Sequence, residues 1–561
     1  MNHMKRLLQR IHLDPKVLLS GILVVLSFPP WDLNFLIWVA LIPWFLRLNL
    51  SPSLKSIIFD GYWLGALMTL GGFSWVAHSV HHFGNLPWVI SYLALILFTL
   101  ICQPQFWFFT PFYFFTRRQF PHWSSLQKIV LLSLAYVGID SIFPKLFLDA
   151  LGNSLYRFEN LRQIAEISGV STLSFLVIFT NLTFTDVFTH WRKATTFPTQ
   201  TKHSLIALIL IFALSLSFGV FRRGQISELY ESEGSPLHFA LIQGNIGNFE
   251  KVAAEEGYVR GGNAILETYF KLSAQALEHS PRPDFIVWPE TAYSSAFAVP
   301  RNSIERYRDS QIKTFVKEFE IPLLFGGYDS RGRQDYNAFH FLIPQKVAQK
   351  SNSKAQESKK PSETSELSLY HGVYHKYLLL PFAEYMPGHE TFDFLKNAIP
   401  EIANFGRGLG PLSESIYTAD GKHLRIAPEI CYEVLEASFV REQVLNGAQL
   451  LLNITNDSWF GDSIEPYQHL ALATLRSVET RVPLVRATNT GISTWVNPTG
   501  ELKEQTRLNT KTVLHAPVAV LKTPPTTLFL RFGNWLGWLG IYLVIGLFLK
   551  WFLKVQKQKQ S

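Results

Sequence analysis

Cysteine is nearly missing from the 561-residue chain, which has two, Cys102 and Cys431. Two thiols so far apart give neither a disulfide framework nor a cysteine-based zinc cage, so chemistry at either is that of a lone thiol. Charge is also scarce. Asp, Glu, Lys and Arg make up 17% of the residues, against about 25% in soluble domains, while 48% are hydrophobic and 14% aromatic. That balance excludes a wholly soluble protein, and it excludes disorder as the main state. No P-loop, dinucleotide fingerprint or internal repeat is present, which removes the sequence support for the commonest nucleotide-dependent classes. Lys and Arg outnumber Asp and Glu by 51 to 43. The surplus gathers beside apolar runs instead of forming a stripe on one face, which excludes a nucleic-acid partner.

What is present is a crowded apolar first third, a polar middle and an isolated apolar stretch near the end. A window of about 19 residues marks candidate spans at Val17–Phe28, Leu33–Leu46, Ile57–Ala77, Trp88–Phe115, Ile129–Phe143, Ser168–Phe188, Leu205–Phe221 and Thr527–Leu553. The first two fall short of the roughly 17 residues a spanning helix needs. Pro29 and Pro30 part them, and the charge pattern favours two abbreviated helices over one kinked one. Lys5, Arg6, Arg10 and Lys16 precede the first span. Later basic groups at Arg47/Lys55, Arg117/Arg118/Lys128, Arg192/Lys193/Lys202 and Lys550/Lys554/Lys557/Lys559 occupy alternate loops. The positive-inside rule then predicts about eight spans, both termini in the cytoplasm and the polar middle on the outer face. Arg222, Arg223, Lys145, Arg157 and Arg162 run against that rule. The opening segment has no small-residue cleavage site and reads as an anchor. The composition shifts predict a membrane α-helical bundle over 1–223, a polar domain over 224–521, and a last helix with a basic tail over 522–561.

The polar middle alternates β-rich runs with amphipathic helical patterns, the signature of an α/β domain. Strands are predicted at Leu237–Gln243, Asp284–Trp288, Pro322–Gly327, Tyr336–Ile343, His423–Ile430, Gln449–Asn453 and Leu484–Thr488. Helices are predicted at Ala264–His279, Ile304–Phe319, Val434–Asn446 and Tyr467–Thr480. Between Gln345 and Glu366, a run of Lys, Ser, Gln and Glu cannot bury enough apolar area to offset its ordering entropy, which predicts a mobile hairpin insertion.

Three segments set unusual polar residues at the ends of predicted strands, where an open α/β sheet presents its ligand groups. They read "DFIVWPETAYS" with Glu290, "YHGVYHKYLLLPFAEYMP" with Lys376 and Glu384, and "RIAPEICYEVLEASFVRE" with Cys431 and Glu433. In the last, a strand ending at Ile430 hands Cys431 to a sharp turn. A helix predicted to begin near Val434 aims its N-terminal amides at the sulfur, an arrangement that stabilises thiolate. Glu429, Tyr432 and Glu433 are poor company for a core cysteine, whereas Cys102, set among Leu, Ile, Phe and Trp, reads as an inert small hydrophobe.

These segments, the order of the spans and the stretch "LLNITNDSWFGDSIEPYQHLALATLRSVETRVPLVRATNTGIS" from Leu451 to Ser493 resemble the nitrilase superfamily with its Glu-Lys-Cys triad. Within it, the chain resembles the membrane-embedded apolipoprotein N-acyltransferases of Gram-negative bacteria, and the likeness covers nearly the whole chain. It implies a nitrilase-like αββα sandwich facing the periplasm, with Glu290 as general base, Lys376 as electrostatic stabiliser and Cys431 as nucleophile. Glu384, Tyr432, Glu433 and Trp459 fall at supporting positions. The implied reaction moves an acyl chain from a phospholipid to the α-amino group of a diacylglyceryl-modified apolipoprotein at the bacterial inner membrane, through a Cys thioester, without cofactor or metal. One departure is local: the tryptophan that relatives carry after a "QGNI"-like strand end is absent from Gly247 to Val252. Phe249 is left to supply apolar surface, and Val252 is given no binding role.

Blander accounts accompany these. Glu384 and Glu433 can orient the lysine or the site without handling a proton. His78, His81 and His82 read as an interfacial loop and not as a metal site. Asp60 and Asp140 lie in or near apolar spans, where an acid can mark an ion pathway or simply face other helices. Two rival functions remain: a membrane-tethered nitrilase-type amidase, and a catalytically silent lipid-binding or transport protein that kept the fold.

Overall fold

The computed structural model describes residues 13–51, 53–82, 84, 86–143, 145, 147–191, 199–247, 259–347, 366–388 and 403–560. Its first part is helical. Helix α1 (Pro15–Leu26) starts where Asp14 accepts the Lys16 N–H and a proline opens the first turn, a pairing that satisfies one free donor and wastes none. There follow α2 (Ile42–Leu50), α3 (Leu54–Gly72), α4 (Trp75–His82), α5 (Trp88–Phe98), α6 (Pro104–Gln119), α7 (Ser125–Ile142), α8 (Val170–Trp191) and α9 (Thr199–Glu233), the last unbroken through Arg223.

Two predicted spans are each divided. Ile57–Ala77 becomes α3 and α4, and Trp88–Phe115 becomes α5 and α6. A hydropathy window sums over such breaks. The chain restarts at Pro104, whose missing N–H and fixed φ suit a first turn, and a second proline, Pro111, lies inside the same helix. Among the described residues four helices are long and apolar enough to cross a bilayer: Ser125–Ile142, Val170–Trp191, Thr199–Glu233 and Trp535–Leu553.

Every basic residue that runs against the charge rule has a partner. Lys145 pairs with Asp140 at 2.6 Å, Arg157 with Asp32 at 2.6 Å, Arg222 with Glu166 at 2.7 Å and Arg223 with Glu159 at 2.6 Å. Arg162 donates to the carbonyls of Thr499 and Tyr156. Asp60 likewise lies 3.2 Å from the Arg47 guanidinium, so both acids singled out in the spans sit in ion pairs.

The polar middle folds as two six-stranded sheets. The first has the order β12-β1-β2-β3-β4-β5 and the second β11-β10-β9-β8-β7-β6. The strands are β1 (Ser235–Gln243), β2 (Phe285–Val287), β3 (Leu323–Arg331), β4 (Gln334–Val347), β5 (Glu366–His375), β6 (Glu414–Tyr417), β7 (His423–Ile430), β8 (Leu450–Thr455), β9 (Leu484–Thr488), β10 (Thr494–Val496), β11 (Leu502–Gln505) and β12 (Thr512–Val520). Residues 348–365 of the expected insertion, with Phe249 and Val252, lie outside the described residues. The insertion's flanks pair as an antiparallel ladder down to Val347 opposite Glu366.

The sheets bury Leu241, Val287, Leu324, Phe339, Ile426, Ile430, Leu452 and Val485 between them. Outside the first sheet lie α10 (Val259–Leu277) and α11 (Ser303–Glu318), through Leu266, Leu272, Ile312 and Val316. Outside the second lie α12 (Ala437–Leu445) and α13 (Glu465–Thr480). This is the αββα order that the resemblance implied. Helix α13 is apolar on two sides, as its near-complete burial requires. Leu472 and Ala473 belong to a cluster that includes Leu451, Leu484 and Val496 of the second sheet, while Ala471, Leu475 and Val478 join the core of the helical region. Beyond it, Arg481 is fully buried and donates to Glu166 at 2.6 Å and Gln163 at 2.6 Å, tying the two regions by a charged contact.

The chain ends in α14 (Trp535–Gln560), packed on α7 through glycines. A Cβ on Gly540 would strike the Leu134 carbonyl oxygen, and one on Gly138 would strike the Ile541 nitrogen. Close backbone approach through small residues is how helices gain packing where water provides no hydrophobic drive. Gly540→Val is expected to cost about 1–3 kcal/mol through overpacking, read as a lowered thermal midpoint in detergent.

Candidate active site

Strands β1, β2 and β3 are parallel, and β5, antiparallel to β4, runs in their sense. Strands β7, β8 and β9 are parallel too. Side chains that follow β2, β5, β7 and β8 converge at the carboxyl ends, where backbone polar groups have no further ladder to join.

Glu290 follows β2 by way of Trp288 and Pro289. Its backbone lies so close to β3 that a Cβ on Gly326 would stand 2.5 Å from its Cα, so this approach needs glycine. The carboxyl is buried. Oε1 accepts from Asn337 Nδ2 at 2.8 Å and Oε2 from the Asn456 amide at 2.9 Å. Lys376, first after β5, is also buried, with its ammonium 2.8 Å from Glu384 Oε2 and 3.6 Å from Glu290 Oε1. Burial disfavours that ammonium, but the Glu384 and Glu290 carboxylates and the Cys431 sulfur outweigh it and hold Lys376 above its ordinary range. Asn337 Nδ2 also donates to Glu384 Oε1 at 2.9 Å, so one amide sets the spacing of both carboxylates around the lysine.

Cys431 stands at the end of β7 with φ +53°, a left-handed conformation uncommon outside glycine and asparagine and of the kind that functional turns retain. The sulfur is within electrostatic reach of Glu290 and Lys376. Here the structure corrects the sequence reading. The turn Cys431–Leu435 is a short 3-10 helix, and the α-helix begins only at Ala437, leaving no α-helix N-terminus to hold a thiolate. Burial, then the Glu290 charge, push the thiol well above its usual value, and Lys376 offsets this only in part. A thiol pushed up in this way needs a base to become a nucleophile.

The supporting residues divide. Glu384 touches the lysine directly. Glu433, fully buried, touches only donors: Oε1 accepts from Tyr374 Oη and the amides of Tyr377 and Leu378, and Oε2 from the Ile430 amide. It ties the segment after Lys376 to the nucleophile turn. Burial lifts its carboxyl to about 7 against those bonds. Glu433→Gln would turn an amide NH₂ toward one of four N–H or O–H donors, leaving a buried donor unpaired. A loss of about 1–3 kcal/mol in stability is expected, measured as a shift in thermal unfolding. The Tyr432 ring packs edge-on against Phe147 of the helical region at 6.1 Å. Trp459, 41% exposed on the turn Asp457–Phe460, accepts at its carbonyl from Ser79 Oγ of α4, and Phe460 meets Trp75 edge-on at 5.0 Å. His81 and Trp88 stack at 4.0 Å, and His81 Nδ1 meets the Leu86 carbonyl.

Asp457, Glu465 and His469 bring possible ligand atoms within 4.8 Å of one another. The Arg486 guanidinium lies among them, 3.1 Å from Asp457 Oδ2 and 3.1 Å from His469 Nδ1, and supplies the positive charge itself. Asn337, Asn456 and this cluster were missed by sequence reasoning. Asn456 sits inside a quoted motif, but its backbone amide carries no side-chain signal, and Asn337 is a single polar letter within β4.

Comparisons with known proteins identify the family. The profile of the apolipoprotein N-acyltransferase N-terminal domain matches residues 20–183, and that of carbon-nitrogen hydrolase matches residues 239–522. An apolipoprotein N-acyltransferase of Bdellovibrio bacteriovorus is 32% identical over 540 residues, covering 94% of this chain and 92% of that protein. One from Geobacter metallireducens is 29% identical, covering 93% and 91%. Among solved structures, a carbon-nitrogen hydrolase from Helicobacter pylori G27 matches with 15% identity and a TM-score of 0.34, over 50% of this chain and 89% of that one. With both profiles in order along the chain and a relative this similar over nearly its full length, the chain belongs to the apolipoprotein N-acyltransferase family, membrane acyltransferases built on a carbon-nitrogen hydrolase domain.

Proposed function

We propose that the protein loads one acyl chain from a phospholipid onto Cys431 as a thioester and passes it to the α-amino group of a diacylglyceryl-modified lipoprotein cysteine. The observation that carries this reading is the buried array of Glu290, Lys376 and Cys431 within electrostatic reach of one another, beside apolar helices. In the first half-reaction Glu290 accepts the thiol proton as sulfur attacks the ester carbonyl. The oxyanion is held by the Lys376 ammonium and the Tyr432 N–H, and as the ester C–O bond breaks Glu290 returns the proton to the departing lysophospholipid oxygen. In the second, Glu290 takes the proton of the attacking amine and passes it to the Cys431 sulfur as the thioester bond breaks and the amide product departs. Glu384 and Glu433 position these groups.

The membrane region answers a solvation cost. At about 0.8 kcal/mol per methylene, drawing some fifteen methylenes into water would cost on the order of 12 kcal/mol. The site therefore opens sideways to lipid, lined by the Tyr377–Phe382 segment and the Trp459/Phe460 turn, with aromatic residues at headgroup level. We assign residues 1–223 to a bundle of about seven spans and 224–521 to a periplasmic catalytic domain. Residues 522–561 form a last span with a cytoplasmic tail, which puts both termini on the cytoplasmic side of the bacterial inner membrane.

The test is to incubate the full-length protein with phospholipid labelled in its acyl chain. A hydroxylamine-sensitive adduct on Cys431 and stoichiometric lysophospholipid are expected. A membrane-tethered amidase would release ammonia from small amides without lysophospholipid, and a silent lipid-binding protein would form no adduct; either result overturns the reading.

A further inference from the structure

Cys431 and Tyr432 share one peptide group, and something buried grips its carbonyl. Asn453, on β8 opposite Glu429 of β7, has no exposed surface. Its Nδ2 donates to the Cys431 carbonyl at 3.2 Å and to the Glu429 carbonyl at 3.4 Å. The assignment of its amide is dictated by a neighbour. Arg486, opposite Asn453 on β9 and fully buried, reaches Oδ1 with Nη1 at 2.6 Å. A guanidinium only donates, so the oxygen must face Arg486 and the NH₂ must face Cys431. Arg486 is itself fixed by Asp457 Oδ2 and His469 Nδ1, each at 3.1 Å. The row Glu429, Asn453 and Arg486 thus crosses three parallel strands directly behind the nucleophile.

A trans peptide is planar, with C=O and N–H pointing in opposite directions. Drawing the Cys431 oxygen toward Asn453 therefore turns the Tyr432 N–H away from the sheet. That N–H belongs to the first turn of the 3-10 helix Cys431–Leu435, where no intrahelical carbonyl faces it. We infer that Asn453, locked by Arg486, is the positioning residue of the oxyanion site: it aims the Tyr432 amide at the carbonyl oxygen of the acyl group attacked by Cys431. This rests on the acyl transfer proposed above. Asn453 touches neither substrate nor sulfur and acts through the peptide plane alone.

The experiment compares full-length wild type with Asn453→Asp and Asn453→Ala. The aspartate keeps the shape and a strong acceptor for Arg486 but removes the donor, so it remains informative where the alanine variant fails to fold. Two rates are measured: single-turnover acylation of Cys431 by a phospholipid, with its ester as oxoester or thionoester, and alkylation of Cys431 by iodoacetamide. Sulfur accepts hydrogen bonds weakly, and alkylation develops no oxyanion. Acylation by the oxoester is expected to fall about 10²–10³-fold, the oxoester-to-thionoester rate ratio about tenfold or more, and alkylation by no more than about twofold. A ratio unchanged from wild type, or alkylation falling in step with acylation, overturns the assignment. A wild type that forms no acyl-cysteine at all instead overturns the proposed function.

Discussion

Cys431→Ala is expected to lower turnover by about 10⁴-fold or more while shifting the thermal midpoint by no more than a few degrees. The stability side follows from the position. Cys431 is 8% exposed with its φ already positive, and alanine bears the same Cβ, so the strain of the turn is unchanged. What is lost is the only thiol near the carboxylate and the ammonium. Cys102 lies in a separate apolar cluster with Phe73, Trp75 and Phe147 and is no substitute. Cys431→Ser should fare little better. A hydroxyl is a harder group to deprotonate, and the burial that already raises the thiol acts on it as strongly. Lysophospholipid release from a labelled donor measures both variants, and a Cys431→Ala enzyme with even a tenth of wild-type release would remove the sulfur from the reaction.

The second large effect belongs to Lys376→Met, which keeps much of the side-chain volume and deletes the charge. The ammonium stands between Glu384 and Glu290. Without it the buried Glu290 carboxylate and the partly buried Glu384 carboxylate share one amide and repel each other with no cation between them. A loss of about 3–5 kcal/mol is expected for stranding buried charge, together with a drop in turnover beyond about 10³-fold because the stabilising cation and the free base vanish together. In the wild type Lys376 is held above its ordinary range, so its contribution to stability is fully present below the unfolded lysine value and is lost only at strongly alkaline pH. Thermal scans of both proteins from neutral to strongly alkaline pH check this: the wild type's excess stability is expected to fade at the alkaline end, and a constant difference would refute the account.

The segments that carry chemistry were legible because each is local: a strand, a polar letter, a turn. The strand His423–Ile430 and the strand Leu484–Thr488 appear with the predicted ends, and β-branched or apolar runs bounded by turn residues are the strongest strand signal a sequence offers. Four strands were missed. Glu414–Tyr417, Thr494–Val496 and Leu502–Gln505 are too brief for a period to register, whereas Thr512–Val520 is nine residues long and was overlooked beside the last apolar stretch. The helix expected at Val434 starts at Ala437, since the preceding turn is held by Glu433 and Ile430 in 3-10 form. In the membrane region, apolar composition located the helices, but Pro104 and the break before Trp75 were invisible to a sliding average.

By itself the sequence determined that much of the chain avoids water, that a mixed α/β domain interrupts it, and that Glu290, Lys376 and Cys431 lie at strand ends. Those properties are carried by composition and by runs of a few residues. Only the tertiary structure decided that burial and the Glu290 charge push the thiol up, that Asn337 spaces the two carboxylates around the lysine, and that Asn453 and Arg486 stand behind the nucleophile. Burial, strand register and hydrogen-bond direction depend on residues distant in the chain, and no local pattern encodes which of them will meet.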